Sequence, residues 1–240
     1  SFFEVTETIN SVGNIRVGTT SYGGKSSNAH FPVPGIAFSG DIWLNNSQNR
    51  FNNPDRVMDG TYEHQTIIHE VGHALGLGHT FETNTFGNRT YGTNEPIGSI
   101  HNANPYSTMA YAEYVGDANP IATNWFSRPT TLMIDDIAAI QHLYGVNERY
   151  NSTDTVYTLD SFHSGGTYND KYGDDDFIYA SIWDAGGNDT FSWADQATVA
   201  SINLTAGSFS TFGRVTGPDD PLLDDRWLNK GDGILGIGYT

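Results

Sequence analysis

His69-Glu70-Val71-Gly72-His73-Ala74-Leu75-Gly76-Leu77-Gly78-His79 is the most informative stretch of this chain. The first two histidines are four residues apart, so on a helix they share one face, with Cβ atoms roughly 5–6 Å apart. Two ring nitrogens on that face can reach one metal ion at about 2.0–2.1 Å each. The stretch therefore predicts a helix that carries two ligands of a zinc site.

The rest of the stretch completes a catalytic zinc motif. Glu70 directly follows the first histidine, a position from which its carboxylate can address water at the metal. Gly76 adopts positive φ at no steric cost, so it can end the helix and bring His79 in as a third ligand. The alternative is an amphipathic helix with exposed histidines, and that interpretation explains neither Gly76 nor His79.

The composition limits the functions to be considered. The chain has 28 acidic and 11 basic residues, a net charge of −17. This charge disfavours nucleic acid and anionic membranes as partners, because their phosphates would be repelled. It fits a secreted protein that binds calcium through carboxylate and carbonyl oxygens. The sequence contains no cysteine and no run of 18 apolar residues, so we expect zinc to be held by other side chains and no segment to span a membrane.

Residue patterns predict the elements around the motif. Apolar periodicity predicts one helix over residues 62–75, with Thr61 as its N-cap, and a second over residues 132–144, ended by Gly145. Between them, residues 81–130 are rich in Asn, Gly, Thr, Ser and Pro and predict a long irregular region, a kind that is often functional. Short strands are predicted at residues 2–5, 14–19, 28–31 and 41–44.

The composition changes near residue 150. Residues 151–240 hold 14 Asp, no Glu and 4 Lys or Arg, arranged in Gly/Asn/Asp turns between short apolar runs. This pattern is typical of an all-β segment, and we place a domain boundary near residue 150. Two pieces, at residues 173–177 and 187–191, each resemble half of a calcium-binding nonapeptide of a β-roll, although for the first piece we favour an ordinary acidic turn.

Further motifs carry a family resemblance. The zinc stretch together with Tyr106-Ser107-Thr108-Met109-Ala110-Tyr111 resembles the metzincin metallopeptidases, which have a methionine turn beneath the metal. Tyr111 follows that methionine by two residues. This arrangement resembles the one in serralysins and astacins, where the tyrosine is an extra zinc ligand. Three stretches resemble serralysins: Asp135-Asp136-Ile137-Ala138-Ala139-Ile140-Gln141-His142-Leu143-Tyr144-Gly145, Asp154-Thr155-Val156-Tyr157 and Trp183-Asp184-Ala185-Gly186-Gly187-Asn188-Asp189-Thr190-Phe191.

The resemblance implies an α+β fold. We expect residues 1–150 to form a metzincin catalytic domain, a twisted mixed sheet with the active-site helix beneath it. We expect residues 151–240 to be a calcium-binding segment that begins a parallel β-roll or sandwich. The strand and helix that open a metzincin domain, and the repeats of the β-roll, do not appear in the sequence, so we interpret the chain as an internal portion of a longer protein or as one part of a nicked protein.

The resemblance also implies a set of roles. Zinc is expected on His69, His73, His79 and Tyr111, with Glu70 as general base and Tyr111 also stabilising the oxyanion. We expect Met109 to pack beneath the imidazoles and not to bind the metal. The expected calcium ligands are Asn151, Thr153, Thr155, Asp184, Gly186 and Asp189.

These expectations converge on a secreted, extracellular zinc endopeptidase that acts on polypeptides. An extended substrate is expected to pair with the edge strand at Asn28, Ala29 and His30. Further expected partners are the remaining portions of the same protein or a protein inhibitor. The alternative is a non-catalytic secreted binding or adhesion module that keeps a structural zinc site, and the presence of Glu70 argues against it.

Overall fold

The computed structural model describes residues 13–21, 26–82, 84–86, 89–91, 99–113, 115, 117, 128–158, 161, 178–192, 199–213 and 233–237. The strand predicted at residues 2–5 and the acidic piece at residues 173–177 lie outside these ranges. The described part is a mixed α/β structure with two α-helices and several small sheets. None of the helices in it is long and apolar enough to cross a bilayer.

The first sheet has three short strands, β1 (Val17–Thr20), β2 (Asn28–Ala29) and β3 (Ile42–Asn45). Its order is β1-β3-β2, with β1 parallel and β2 antiparallel to β3. The sheet is therefore mixed, as predicted. The three predicted strands are present, but β1 begins later and β2 ends earlier than the sequence pattern indicates.

Helix α1 (Tyr62–Ala74) begins at a capping threonine, as predicted. Thr61 has extended backbone angles, and its Oγ1 accepts a hydrogen bond from the backbone N–H of His64 at 3.2 Å. That bond satisfies one of the N–H groups that the first turn of a helix leaves without a partner. The N-cap thus fixes where the helix starts, eight residues before the first histidine of the motif.

Helix α1 ends in a Schellman arrangement around a glycine. Gly76 has φ of +102° and donates its N–H to His73 O at 2.9 Å, while Leu77 N–H donates to Gly72 O at 2.9 Å. These two bonds satisfy carbonyls that the last turn would leave free, and the positive φ favours glycine. The chain then reverses direction, which carries residues 77–79 back along the helix.

The core beneath the motif lies between α1 and the first sheet. Ile42 and Leu44 of β3 are buried against Ala74 of α1, and Ile67 and Val71 pack around them. This apolar contact holds α1 against the sheet by one face. The histidines lie on the adjacent face of the helix.

Helix α2 (Ile134–Tyr144) packs near the C-terminal end of α1. Gly145, with φ of +83°, caps it as predicted. The hydroxyl of Tyr144 donates to Leu75 O at 2.8 Å, which joins the ends of the two helices.

The remaining strands form small separate sheets. β4 (Asn84–Phe86) and β5 (Arg89–Tyr91) form an antiparallel pair, and β6 (Val156–Tyr157) pairs in parallel with β8 (Thr190–Phe191). The last sheet, in the order β7-β11-β10-β9, has both parallel and antiparallel pairs. Its strands are β7 (Ile178–Ile182), β9 (Val199–Ser201), β10 (Phe209–Gly213) and β11 (Gly233–Ile237).

Candidate metal centre

The three histidines of the motif direct their Nε2 atoms to one point. Nε2 of His79 lies 3.2 Å from Nε2 of His69 and 3.2 Å from Nε2 of His73. A ligand atom from each of the three side chains lies within 4.8 Å of the others. For metal–nitrogen bonds of about 2.0–2.1 Å, two corners of a tetrahedron are roughly 3.3–3.4 Å apart. The observed separations therefore fit a zinc ion.

The other nitrogen of each ring has a hydrogen-bond acceptor. Nδ1 of His69 is 2.8 Å from Thr108 O, and Nδ1 of His73 is 2.7 Å from Leu77 O. Nδ1 of His79 is 2.8 Å from Oε2 of Glu82. A carbonyl oxygen only accepts, so Nδ1 of His69 and His73 must carry the proton, and their Nε2 lone pairs are then free for a cation.

Burial keeps two of these rings neutral. Desolvation lowers the pKa of His69 to about 3 and that of His73 to about 4. A metal ligand must be the neutral imidazole, and at neutral pH these two rings therefore need not lose a proton before they bind.

Glu70 carries a buried carboxylate beside the histidines. Burial raises its pKa to about 7. Within the described residues, Oε2 of Glu70 has no hydrogen-bond partner. A buried carboxylate oxygen without a hydrogen-bond partner lowers the stability of the fold unless a bound group supplies the partner. A cation with its bound water is one such group.

Tyr111 stands at the open side of the centre. Its hydroxyl is 3.1 Å from Nε2 of His79, although 48% of the residue surface is exposed. Phe81 packs against it with ring centroids 4.8 Å apart, and Phe81 also stacks on His79 at 5.0 Å. The hydroxyl therefore lies next to the ligand atom of the third histidine.

Met109 lies beneath the helix that carries the motif. It is 1% exposed, and a Cβ added to Gly72 would lie 2.5 Å from its Sδ. Only glycine at position 72 allows the methionine to approach α1 this closely. The structure thus has Met109 in a packing position, as the sequence predicts.

A buried carboxylate holds this methionine turn. Asp136, in the first turn of α2, accepts hydrogen bonds from Ser107 Oγ at 2.6 Å and from the backbone N–H of Thr108 at 2.7 Å. It also accepts from Thr108 Oγ1 and from the backbone N–H of Met133, both at 2.9 Å. Because Thr108 O is the acceptor for His69, Asp136 positions the first ligand through one intervening residue.

The residues expected to bind calcium lie on two facing turns, at residues 151–155 and 184–189. Asp189 Oδ1 accepts from the Thr155 N–H at 2.9 Å, and Asp184 Oδ1 accepts from the Gly186 N–H at 2.9 Å. A Cβ added to Gly187 would lie 2.8 Å from both Thr153 O and Asp189 Oδ1, so these two oxygens are close neighbours.

A tyrosine joins Asn151, the remaining residue of this group, to Asp184. The Tyr157 hydroxyl donates to Asp184 Oδ2 at 2.5 Å and accepts from Asn151 Nδ2 at 3.0 Å. The six residues expected at the calcium site are therefore brought together by the parallel pairing of β6 and β8.

The expected substrate strand is β2, and it lies at the edge of the described part of the first sheet. Just after β2, His30 donates its N–H to Asp41 O at 2.9 Å and accepts from Gly40 N–H at 3.1 Å, so both its backbone groups face the β3 side. Successive residues of a strand direct these groups to opposite edges, and those of Ala29 therefore face outwards. The ring of Phe31 then meets His73 edge-on at 5.5 Å, which brings this edge to the metal centre.

Comparison with known sequences finds matches to two peptidase family models and to curated peptidases. A family model described as the C-terminal part of the M10 serralysin peptidases matches residues 146–219, and one described as metallopeptidase family M12 matches residues 13–125. Serralysin C of Dickeya chrysanthemi is 34% identical over 206 residues, which is 85% of this chain and 40% of the relative. Metalloprotease AprA of Pseudomonas entomophila is 35% identical over 190 residues, or 78% of this chain and 38% of the relative.

By sequence, this chain is similar to the serralysins over most of its length. It spans about two fifths of the length of the curated relatives it matches. The three histidines lie within the part matched by the model for metallopeptidase family M12, and the two facing turns lie within the part matched by the serralysin C-terminal model.

Sequence reasoning missed the residues that support the site. Asp136 is the third residue of α2, a position where an acid accepts from the N-cap backbone, so helix-capping rules could have singled it out. Glu82 had a weaker signal, a carboxylate three residues after a ligand histidine. Phe81 had none, because an aromatic residue in a loop has many possible contacts.

Proposed function

We propose that this protein is a secreted zinc endopeptidase of the serralysin family that hydrolyses polypeptides. The observation that carries the proposal is the convergence of three Nε2 atoms at zinc-binding separations beside the buried carboxylate of Glu70, whose Oε2 has no hydrogen-bond partner among the described residues. The test is hydrolysis of casein and of a quenched peptide, with and without a chelator. We expect activity to disappear on chelation and to return with zinc.

The catalytic roles follow from these positions. Zinc, when bound, supplies a Lewis acid that polarises the scissile carbonyl and makes water more acidic. Glu70 accepts a proton from the attacking water and passes it to the leaving amine. Its buried setting, which raises the pKa to about 7, makes the carboxylate more basic than a solvated glutamate and therefore better suited to take that proton.

Tyr111 has a second role in the same reaction. Its hydroxyl, 3.1 Å from Nε2 of His79, is close enough to join the histidines as a ligand. Half of the residue is exposed, so it can also rotate aside when substrate enters. From there the hydroxyl donates a hydrogen bond to the negative charge that develops on the scissile carbonyl oxygen.

Tyr111→Phe removes this donor and keeps the ring. We expect kcat to fall by about 10²–10³, the typical cost of losing one oxyanion donor, with a much smaller change in KM. The measurement is steady-state hydrolysis of a quenched peptide at saturating zinc. Tyr150→Phe, at an exposed tyrosine beside the facing turns, is the matched control. A Tyr111→Phe enzyme with the kcat of the wild type would contradict the role.

Substrate binding uses the edge of β2. An extended peptide that pairs with the outward backbone groups of Ala29 gains main-chain hydrogen bonds regardless of its sequence. The contact of Phe31 with His73 supports this position for the peptide, since it brings the strand to the metal centre.

We also propose that residues 151–240 begin a β-roll and bind calcium between the two facing turns. Carboxylates of Asp184 and Asp189, the carbonyl of Thr153 and neighbouring oxygens supply the hard ligands that Ca²⁺ prefers. The parallel pairing of β6 with β8 and the net charge of −17 support this proposal and an extracellular, calcium-rich setting.

Asp189→Asn tests the calcium site. In the wild type, calcium at one hundred times its Kd is expected to stabilise the fold by about 2.7 kcal/mol, and the variant should lose most of this gain at the same concentration. The measurement is thermal unfolding with and without calcium. Asp154→Asn is the matched control, because Asp154 is an exposed aspartate of the facing turn that accepts from the Asn188 N–H. Equal calcium responses in the two variants would refute the assignment of Asp189.

A further inference from the structure

The three ligand histidines are supported in two different ways. His69 and His73 are on α1, and their Nδ1 atoms face main-chain carbonyls of Thr108 and Leu77. His79 lies outside any helix or strand, and its Nδ1 faces the side chain of Glu82. The third ligand is thus the one whose support can be removed by a single side-chain substitution.

The chain between His79 and Glu82 brings the carboxylate back to the ring. The Glu82 N–H donates to His79 O at 3.2 Å, which closes a turn of four residues. Inside that turn, Thr80 is buried, and its hydroxyl donates to Asn102 Oδ1 at 2.6 Å. The turn is therefore anchored to the rest of the fold, and Oε2 of Glu82 reaches Nδ1 at 2.8 Å.

From this geometry we propose that Glu82 is a positioning residue of the metal centre. Its ionised carboxylate only accepts hydrogen bonds, so it fixes the proton of His79 on Nδ1 and directs the Nε2 lone pair to the metal. It also adds negative charge to the ligand set, because His69 and His73 have neutral acceptors. The inference rests on the zinc site of the proposed function and adds the means by which its third ligand is oriented.

The expected effect is on metal affinity more than on the chemical step. Loss of a hydrogen-bond partner behind a ligand histidine typically weakens metal binding by about 10–100-fold. Glu82→Ala removes both the acceptor and the charge, and should fall in that range. Glu82→Gln keeps a carbonyl oxygen that can accept from Nδ1 but loses the charge, so its affinity should lie between those of the wild type and Glu82→Ala.

The experiment is competition for zinc between the metal-free protein and a chromophoric chelator. Glu148→Gln, on the exposed turn after α2, is the control for a lost surface charge. We expect zinc affinity to decrease in the order wild type, Glu82→Gln, Glu82→Ala, and to be unchanged in Glu148→Gln. Equal zinc affinity of Glu82→Ala and the wild type, or an equal loss in Glu148→Gln, would overturn the proposal.

A second measurement separates this inference from the peptidase proposal. Long-range ¹H–¹⁵N spectra of the metal-free protein report which ring nitrogen of His79 carries the proton. We expect the Nδ1–H form in the wild type and a mixture of forms in Glu82→Ala, with far-UV circular dichroism unchanged. A mixture already present in the wild type would refute the role of Glu82. Inactivity of a zinc-loaded wild type would refute only the peptidase proposal.

Discussion

Glu70→Gln is expected to lower kcat by about 10²–10⁴ while zinc remains bound, because we propose this carboxylate as the base and not as a ligand. The substitution keeps the size of the side chain and removes its basicity. Steady-state peptide hydrolysis and zinc content, measured on the same preparation, give the two readouts. Glu148→Gln again serves as the control for a lost charge. A Glu70→Gln protein that cleaves peptide at the rate of the wild type would refute the general-base role, and the alternative of a non-catalytic binding module would then gain support.

The pH profile adds an independent readout for the same residue. Burial raises the pKa of Glu70 to about 7, and a base acts only when it is ionised, so activity is present above this pKa and is lost as the pH falls through it. A nearby dication favours the carboxylate and lowers the value. The acid limb of kcat/KM is therefore expected at or below about pH 7. A limb centred well above pH 7 would contradict the assignment.

Asp136→Ala is expected to cause the largest loss of stability among these substitutions. It leaves the buried backbone N–H groups of Thr108 and Met133 without their acceptor and removes two hydroxyl contacts. Each buried donor left unsatisfied costs roughly 1–3 kcal/mol, so the free energy of unfolding should fall by about 2–5 kcal/mol. Zinc affinity should fall as well, because Thr108 O orients His69.

Denaturant unfolding and zinc competition measure both effects. Asp135→Ala is the matched control, since Asp135 is the adjacent residue of the same helix and pairs with His101 at a partly exposed site. Partly exposed pairs of this kind contribute about 0–1 kcal/mol. Equal losses in the two variants would show that Asp136 has no special function in the methionine turn.

The zinc ligands could be predicted from sequence because their geometry is local. His69 and His73 lie on one helical face, and the Schellman bonds of Gly76 and Leu77 return the chain towards that face. The bounds of α1 and the Thr61 cap follow from the same short-range rules, so the structure agrees with the pattern there. The packing position of Met109 could be expected only from the family resemblance.

The supports of the site could not be predicted in the same way. Asp136 is 28 residues from Thr108, and Tyr144 is 69 residues from Leu75. Contacts over such separations depend on how the helices and the irregular region pack. The spacing of residues in the sequence does not indicate this packing. The parallel pairing of β1 with β3 could not be predicted either. Alternation of apolar and polar residues predicts a strand, but it does not indicate which strand lies next to it.

X-ray absorption of the zinc-loaded protein tests the central claim most directly. We predict one zinc ion per chain with three imidazole nitrogens at about 2.0–2.1 Å and at least one oxygen ligand. His73→Ala should lose one of the imidazole contributions together with most of the metal. A spectrum with fewer than three imidazoles in the wild type, or a protein that takes up no zinc, would contradict the account.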